Sequence, residues 1–277
     1  MDRLFKKGHI GLLWAAALGV VASTFTWVTP SISRTWYVKV DGTGDAPTIQ
    51  AGIDSAVSGD TVLLGAGQYF TFATIHLKSG VALVGELGPT ATTITVRGEW
   101  PGPPVVGIDM EPGSEINGLW VDGASIYTSV GASNRTRVQN CIIFGGSFSV
   151  SISGDAEVVS CLIENIGCSS NASGVLWKNV VLQTVYYDGI PLFVCNDIVG
   201  EIPPPIASDT SNFSLEPQYC GNPGSGNYFL QSDSPCAPGN HPNGVSSCGL
   251  IGPLPVGCAT VATQESTWGG IKEMYYE

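Results

Sequence analysis

The chain contains 277 residues, of which 43% are hydrophobic and 12% charged, so it has enough apolar material for a folded core and does not have the composition of a disordered protein. Its formal net charge of −12 would repel a phosphate backbone, which argues against nucleic acid as a partner. Its 36 glycines supply the backbone freedom that many tight turns need, which favours an all-β fold.

Residues 1–23 have the layout of a secretory signal peptide. Basic residues precede an apolar run from Ile10 to Ala22 that ends in small residues. This predicts cleavage near Ala22 or Ser23, a linker over residues 24–35, and a secreted or cell-surface protein, with the periplasm as another destination. The alternative is an uncleaved anchor, but the run is short for a membrane span of ~20 residues, and no later segment is long and apolar enough to cross a bilayer.

Eight cysteines follow the predicted signal peptide, which fits an oxidising compartment. They form no CxxC pair and are accompanied by only two histidines after the signal, so a zinc site is not expected. Disulfides and buried thiols are the better interpretation. Cys220 with Cys236, and Cys248 with Cys258, are the pairs of sequence neighbours that we expect, although spacing does not fix connectivity.

A predicted entry strand near residue 36 is followed by a loop and a short helix. Ile49, Ile53, Ala56 and Val57 recur with helical spacing, so they are expected on one helix face, and Thr48 is suited to cap it. A strand of β-branched and aliphatic residues comes next.

The middle of the chain contains an internal repeat. Its segments are INGLWVDG (116–123), VQNCIIFGG (138–146), VVSCLIENIG (158–167), WKNVVLQT (177–184) and CNDIVG (195–200). Equivalent sites at Leu119, Cys141, Cys161, Val180 and Ile198 are separated by 22, 20, 19 and 18 residues. A period near 20 without helical patterning predicts a β-solenoid whose coils stack at the inter-strand distance of ~4.8 Å.

One column of the repeat is predicted to form a corner between two strands of each coil. It contains Gly118, Asn140, Ser160, Asn179 and Asp197, mostly residue types that tolerate the left-handed conformation. Because strand side chains alternate, the next residue in each repeat should point inward and the one after it outward.

The outward column is apolar, which is unusual for a surface. We call Trp120, Ile142, Leu162 and Val181 the outer stripe. A stripe of this kind is normally covered or used. Coverage by the C-terminal part of the same chain is one expectation, and self-association or a partner on this stripe is the other.

The repeat ends near residue 201, where three consecutive prolines at 203–205 are incompatible with a central strand. Residues 212–258 are rich in Gly, Pro, Ser and Asn and hold four cysteines, so we expect a disulfide-supported segment that closes the end of the solenoid. The predicted organisation is therefore a β-helix over 36–211, this closing segment over 212–258 and a tail over 259–277.

Two stretches of this sequence resemble a known superfamily. TIQAGIDSAVSGDTVLLGAGQYF followed by LKSGVALVGELGPTATTITV resembles the opening coils of pectin-lyase-like proteins, and LEPQYCGNPGSGNYFLQSDSPCAPG resembles the closing segment of exported bacterial members. The resemblance covers about residues 36–258. It implies an all-β, single-stranded, right-handed parallel β-helix with a short N-terminal capping helix. It is weak for function, because this fold carries lyases, hydrolases, esterases, adhesins and proteins without known activity.

The catalytic motifs of that superfamily are not recognisable here. Gly67-Gln68-Tyr69 resembles the turn of pectinesterase-like members, but neither their acidic motif nor their Arg-Pro-Trp signature follows. The Gly-His-Gly of polygalacturonase-like members is absent from the sequence. A Ser/His/Asp triad is not convincingly built from His76 and His241 either.

Asp122 and Arg137 are the candidates that remain for catalysis. The sequence Trp120-Val121-Asp122-Gly123 resembles the Trp-Ile-Asp-His motif of pectate-lyase-like members but lacks the histidine. The resemblance implies that Asp122, with Asp109 or Glu111, would bind calcium and that Arg137 would act beside them as the base. The alternative is that Asp122 lies in a turn and that Arg137 is a solvated residue.

The leading hypothesis is therefore an exported, non-catalytic β-helix that serves as a structural or carbohydrate-binding module, with a polysaccharide or a cell-surface component as its partner. Solvent-facing aromatics are the candidates for stacking on sugar rings, among them Trp100, Trp120, Tyr127, Phe144, Phe148 and Tyr186. No cofactor is expected. The alternative is a polysaccharide lyase or glycoside hydrolase with a non-standard active site on the Asp122 face, with calcium as its cofactor.

Overall fold

The computed structural model describes residues 32–97, 107–123, 125–128, 135–145, 149–168, 174–187, 191–221 and 225–258. The chain divides into two compact units, residues 1–32 and 33–277, and nearly all described residues belong to the second. The predicted signal peptide, most of the predicted linker and the predicted tail lie outside the described residues.

The second unit consists of strands with two short helices. Its first elements are β1 (Thr35–Val38), α1 (Ile49–Ser55), β2 (Thr61–Leu64), β3 (Gly67–Thr71), β4 (Ile75–Leu77), β5 (Ala82–Gly85), β6 (Thr92–Val96) and β7 (Gly107–Met110). The middle elements are β8 (Glu115–Asn117), β9 (Trp120–Asp122), β10 (Ser125–Thr128), β11 (Thr136–Gln139), β12 (Ile142–Phe144), β13 (Val150–Ile152), β14 (Ala156–Val159) and β15 (Leu162–Cys168). The last are β16 (Leu176–Lys178), β17 (Val181–Tyr187), β18 (Leu192–Val194), β19 (Asp197–Ile198), α2 (Pro204–Ala207), β20 (Leu230–Gln231) and β21 (Val256–Cys258).

Successive strands wind into coils with three faces. Face 1 is a sheet of eight strands in the order β1-β2-β5-β8-β11-β14-β16-β18. Face 2 contains β3, β6, β9, β12, β19 and the first halves of β15 and β17; face 3 contains β4, β7, β10, β13 and the second halves of β15 and β17. Strands in adjacent coils pair in parallel, so that paired residues lie about one coil length apart in sequence, as in Val62↔Leu83 on face 1 and Ile143↔Ile163 on face 2. The protein is therefore an all-β parallel β-helix, as predicted.

Helix α1 supplies the predicted N-terminal cap. The Thr48 hydroxyl accepts a hydrogen bond from the Ala51 backbone N–H at 3.1 Å, which satisfies a free donor of the first turn. Ile49 and Ile53 join the buried core. The prediction for Val57 is wrong: the helix ends at Ser55, and Val57 is 61% exposed.

The corner between faces 1 and 2 is formed as predicted in four coils. Gly118, Asn140, Ser160 and Asn179 have φ values of 68°, 51°, 52° and 55°, all in the left-handed region. In the last coil the prediction is wrong, because Cys195 adopts this conformation, with φ 59°, and Asp197 does not.

The error at Asp197 is a shift of two residues. Asp197 pairs with Val181, two positions beyond the corner, because the last coil is shorter than the repeat spacing suggested. A shift of two residues leaves the alternation of strand side chains unchanged. Hydrophobic pattern alone therefore did not reveal it.

The inward and outward columns are as predicted. Leu119, Val121, Ile143 and Ile163 are fully buried in the interior core. Of the outer stripe, Ile142, Leu162 and Val181 are at most 1% exposed, and they belong to a separate cluster on the outside of face 2. The residues that cover them come mainly from the closing segment and include Phe213, Leu230, Cys236, Ile251 and Leu254. The C-terminal part of the same chain therefore covers the outer stripe, as expected, and these residues are not an exposed surface for self-association.

The disulfides differ from those predicted. Cys195 bonds to Cys248 and Cys220 to Cys258, whereas the predicted pairs were Cys220–Cys236 and Cys248–Cys258. The closing segment crosses back over face 2, so cysteines that are distant in sequence meet. Cys141, Cys161, Cys168 and Cys236 are buried free thiols.

The C-terminal end of the coils is closed by polar side chains and by α2. The Asn196 amide donates at 3.0 Å to both the Trp177 carbonyl and Asn212 Oδ1, and the Asn212 amide donates to the Phe193 carbonyl at 3.0 Å. Ile206 of α2 joins the interior core. These contacts satisfy buried backbone carbonyls in the last two strands of face 1. Among the described residues, no helix has the length and apolarity to cross a membrane.

Candidate functional site

The connections between strands differ greatly in length from corner to corner. Faces 1 and 2 are joined by two residues in each of six coils, as at Gly118–Leu119 and Asn140–Cys141. Connections at the edges of face 3 include residues 97–106, 129–135 and 169–175. The number of residues between consecutive strands therefore varies most at the edges of face 3.

Face 3 presents one outward-pointing residue per coil, and we call this set the face-3 row. Paired positions in adjacent strands give the row His76, Asp109, Tyr127, Ser151, Gly167 and Tyr186. The residues on either side of each row position, such as Ile75, Ile108, Ile126 and Val150, are buried. Strand alternation thus fixes the row on the surface.

Two tyrosines make the face-3 row partly aromatic. Tyr127 is 36% exposed and Tyr186 is 58% exposed. Both were among the aromatics that the sequence nominated. A tyrosine presents a flat apolar ring with a polar tip, which suits contact with a ligand that has both apolar and hydroxyl surfaces.

A histidine–carboxylate pair stands at the N-terminal end of the row. His76 Nδ1 lies 3.4 Å from Asp109 Oδ2, and both side chains are substantially exposed. Gln50 of α1 fixes the strand below this pair, since its side chain accepts from the His76 backbone N–H at 2.9 Å and donates to the His76 carbonyl at 3.3 Å. The pair offers hydrogen-bond donors and acceptors beside Tyr127.

The residues predicted for an active site lie on different faces. Asp109 points outward from face 3, and Asp122 is exposed at the end of β9 on face 2. Arg137 lies on face 1, where its Nε is 3.4 Å from Glu157 Oε2. Glu111 follows β7 and accepts from the Ser79 backbone N–H at 2.9 Å. These four residues therefore do not form the calcium-and-arginine arrangement that the resemblance to pectate lyases implied.

The described part of the chain holds no group of three or more His, Cys, Asp or Glu side chains arranged to bind a metal ion. His241 is occupied structurally, with Nε2 2.8 Å from the Ser211 carbonyl oxygen and Nδ1 accepting from the Asn243 N–H at 3.2 Å. Its ring also packs edge-on against Phe213 at 4.9 Å.

Other nominated aromatics are engaged by the closing segment. Trp120 and Phe144 contact Tyr228 with ring centroids 5.7 and 5.4 Å apart. Burial raises the pKa of Tyr228, and the nearby Asp122 and Glu164 carboxylates raise it further. Trp100 and Phe148 lie outside the described residues. Tyr127 and Tyr186 are thus the nominated aromatics that stand in an outward row.

A buried polar cluster lies between face 2 and the closing segment, and the sequence did not point to it. Asp197 is fully buried; its carboxylate accepts from the Leu215 N–H at 3.1 Å and from the Cys236 thiol at 3.2 Å. Burial raises the pKa of Asp197 to about 7. With the observed register, Asp197 continues the outer stripe beyond Val181 and is the carboxylate at the end of a row of apolar residues. The repeat in the sequence placed Asp197 at the corner instead, so this signal was not visible there.

The Cys236 thiol and the phenol of Tyr219, which lies near Cys236 and Asp197, are protonated groups. Burial, followed by the Asp197 carboxylate, raises the pKa of Cys236, and burial raises the pKa of Tyr219. Thiolate is the nucleophilic form of cysteine, so Cys236 is not activated for nucleophilic chemistry. The cluster is a proton-binding site that titrates near neutral pH through Asp197.

The sequence matches no protein-family model and no curated protein sequence. Its resemblance to pectin-lyase-like proteins therefore depends on the residues quoted above and on the parallel β-helix.

Proposed function

We propose that this protein is a non-catalytic carbohydrate-binding module that uses face 3 as its binding surface. It belongs, in this proposal, to the pectin-lyase-like superfamily of β-helices and acts outside the cytoplasm, in the medium or at the cell surface. Its partner is a polysaccharide.

The observation that carries the proposal is the face-3 row. It combines two exposed tyrosines with hydroxyl, imidazole and carboxylate groups in neighbouring coils. A sugar ring has an apolar face of C–H groups and a rim of hydroxyls. The tyrosine rings match that face, and the polar side chains match that rim.

Two further observations support the non-catalytic form and the location. Asp122 and Arg137 stand on faces 2 and 1, and Arg137 is already paired with Glu157. The disulfides Cys195–Cys248 and Cys220–Cys258 fit an oxidising compartment, where such bonds persist.

The test is affinity electrophoresis of the full chain in gels that contain cellulose derivatives, xylan or polygalacturonate. Retardation by at least one polysaccharide is expected, together with loss of retardation in the Tyr127→Ala/Tyr186→Ala double variant. Phe70→Ala is the matched control, since Phe70 is 54% exposed but lies on face 2. Equal retardation of the double variant and the wild type would contradict face 3 as the binding surface.

The enzymatic alternative has its own assay. Incubation with polygalacturonate and calcium, followed by absorbance of unsaturated products, should give no signal above a blank. A signal that disappears in Asp122→Asn and Arg137→Gln would replace the proposed function by a lyase.

A further inference from the structure

We infer that the ligand is an uncharged linear glycan that lies along the face-3 row, parallel to the direction in which the coils stack. This inference rests on the proposed function and specifies its ligand. The inference is argued from the spacing of the two tyrosines, the side-chain heights along the row and the charge of the row.

The spacing of the two tyrosines sets the length of the ligand. Tyr127 pairs with Ser151, Ser151 with Gly167 and Gly167 with Tyr186, so the tyrosines stand three coils apart. At the inter-strand distance this is ~14 Å. A pyranose unit of an extended chain is about as long as one coil spacing, so a chain that contacts both rings contains roughly four units.

The heights of the side chains along the row fit a glycan chain that lies lengthwise. Between the two tyrosines the row carries only the short side chain of Ser151 and the hydrogen of Gly167. The rings therefore stand higher than the two positions between them. A linear glycan can stack a unit on each ring and bridge the lower positions, whereas a ligand lying across the coils would meet only one ring.

The charge of the row favours an uncharged chain. Its charged groups are His76 and Asp109, which pair with each other, and no lysine or arginine occupies any of its six positions. The formal net charge of the whole chain is −12. An acidic glycan would meet net repulsion and no fixed cation in the row.

The experiment is calorimetric titration of the full chain with cello-oligosaccharides of two to six units and with oligogalacturonates of the same lengths, at low and moderate salt. Affinity for the uncharged series should rise steeply when the chain reaches about four units. Each oligogalacturonate should bind more weakly than its uncharged counterpart, and added salt should reduce the difference.

Two variants localise the length effect. Tyr127→Ala and Tyr186→Ala should each abolish the steep rise and lower the affinity for the longer chains roughly fivefold, because only one ring remains. Tyr127→Leu and Tyr186→Leu repeat the test with an apolar but non-planar side chain, and Phe70→Ala should keep the wild-type profile.

The outcomes separate this inference from the proposed function. Binding that is independent of chain length, or stronger for oligogalacturonates, would overturn the inference and leave carbohydrate binding in place. Failure of every oligosaccharide and every polysaccharide to bind would overturn both.

Discussion

Two buried aspartates, one near each end of the β-helix, have opposite acidities. Asp60 precedes β2 and is 5% exposed; Asp197 lies in β19 and is fully buried. The Asp60 carboxylate accepts from the backbone N–H groups of Val57 at 3.0 Å and Arg34 at 2.8 Å, and from the indole of Trp36 at 3.3 Å. These donors lower the pKa of Asp60. The Asp197 carboxylate accepts hydrogen bonds from one backbone N–H and one thiol. Burial raises the pKa of Asp197 to about 7.

The comparison shows that hydrogen-bond donors and depth of burial together decide which form of a carboxyl group the fold prefers. Three N–H donors favour the ionised form of Asp60, whereas Asp197 lies deeper and has one N–H and a weak thiol donor. The N-terminal end thus contains a carboxyl group that favours its charged form. The C-terminal closure contains two disulfides and a carboxyl group whose pKa is raised to about 7.

A carboxylate in the interior between these ends should be the most damaging, because the strand neighbours of Val121 there, Ile94 and Ile143, offer it no side-chain donor. Val121 is fully buried among aliphatic side chains of face 2. Val121→Asp should cost several kcal/mol and unfold the coils, because a lone buried carboxylate has no compensation. The measurement is thermal unfolding by circular dichroism. Gln183→Asp, at an exposed position of β17, is the control and should melt near the wild type; an unchanged melting temperature for Val121→Asp would mean that inside and outside are inverted.

Removal of the Cys195–Cys248 bond should have the next largest effect. The bond links residues 53 positions apart, and loss of such a link typically costs ~2–5 kcal/mol. In the Cys195→Ala/Cys248→Ala variant the closing segment should detach from the outer stripe before the coils unfold. Binding of a hydrophobic dye below the melting temperature would detect this. Cys168→Ala removes a buried thiol without breaking a bond and should not increase dye binding.

Asp197→Asn should remove a pH dependence of stability. Because the folded-state pKa of Asp197 is raised to about 7, its contribution is complete below the unfolded pKa of about 4 and is lost as pH rises through about 7, by at most about 1.4 kcal/mol per pH unit. The wild type should therefore lose stability over this interval, and the asparagine variant should lose less.

Asp60→Asn should change the pH dependence of stability in the opposite direction from Asp197→Asn. The lowered pKa of Asp60 gives stability that is present above its unfolded pKa and lost as pH falls through the folded value. This variant should weaken acid unfolding but keep the loss toward pH 7. Identical pH profiles for both variants would mean that Asp60 and Asp197 do not differ in acidity in the folded protein.

Local rules predicted the repeating part of the fold. The left-handed corner at Asn140 and Asn179, and the inward direction of Val121 and Ile163, follow from residue type and from strand alternation within one coil. These properties depend on neighbours along the chain, so a sequence pattern records them.

The closure and the candidate site depend on contacts that the pattern does not record. Coil length set the register of Asp197, and the path of the closing segment set the disulfide Cys220–Cys258. The face-3 row spans six coils with connections of unequal length, so its members have no common sequence spacing. Tyr127 and Tyr186 could be nominated individually from the sequence, but their alignment in one row required the strand register.

Cys236→Ser should have the smallest effect on stability, and it tests how the thiol donor affects the acidity of Asp197. A hydroxyl donates a stronger hydrogen bond than a thiol, so serine should favour the ionised form of Asp197, which the Cys236 thiol contacts at 3.2 Å. The loss of stability with rising pH should then end at a pH lower by a fraction of a unit, toward the behaviour of Asp60. Melting temperatures measured every half pH unit, for Cys236→Ser and for the wild type, would resolve the shift. A shift to higher pH would mean that the thiol is not what limits the acidity of Asp197, and that closer packing around the carboxyl outweighs the added donor.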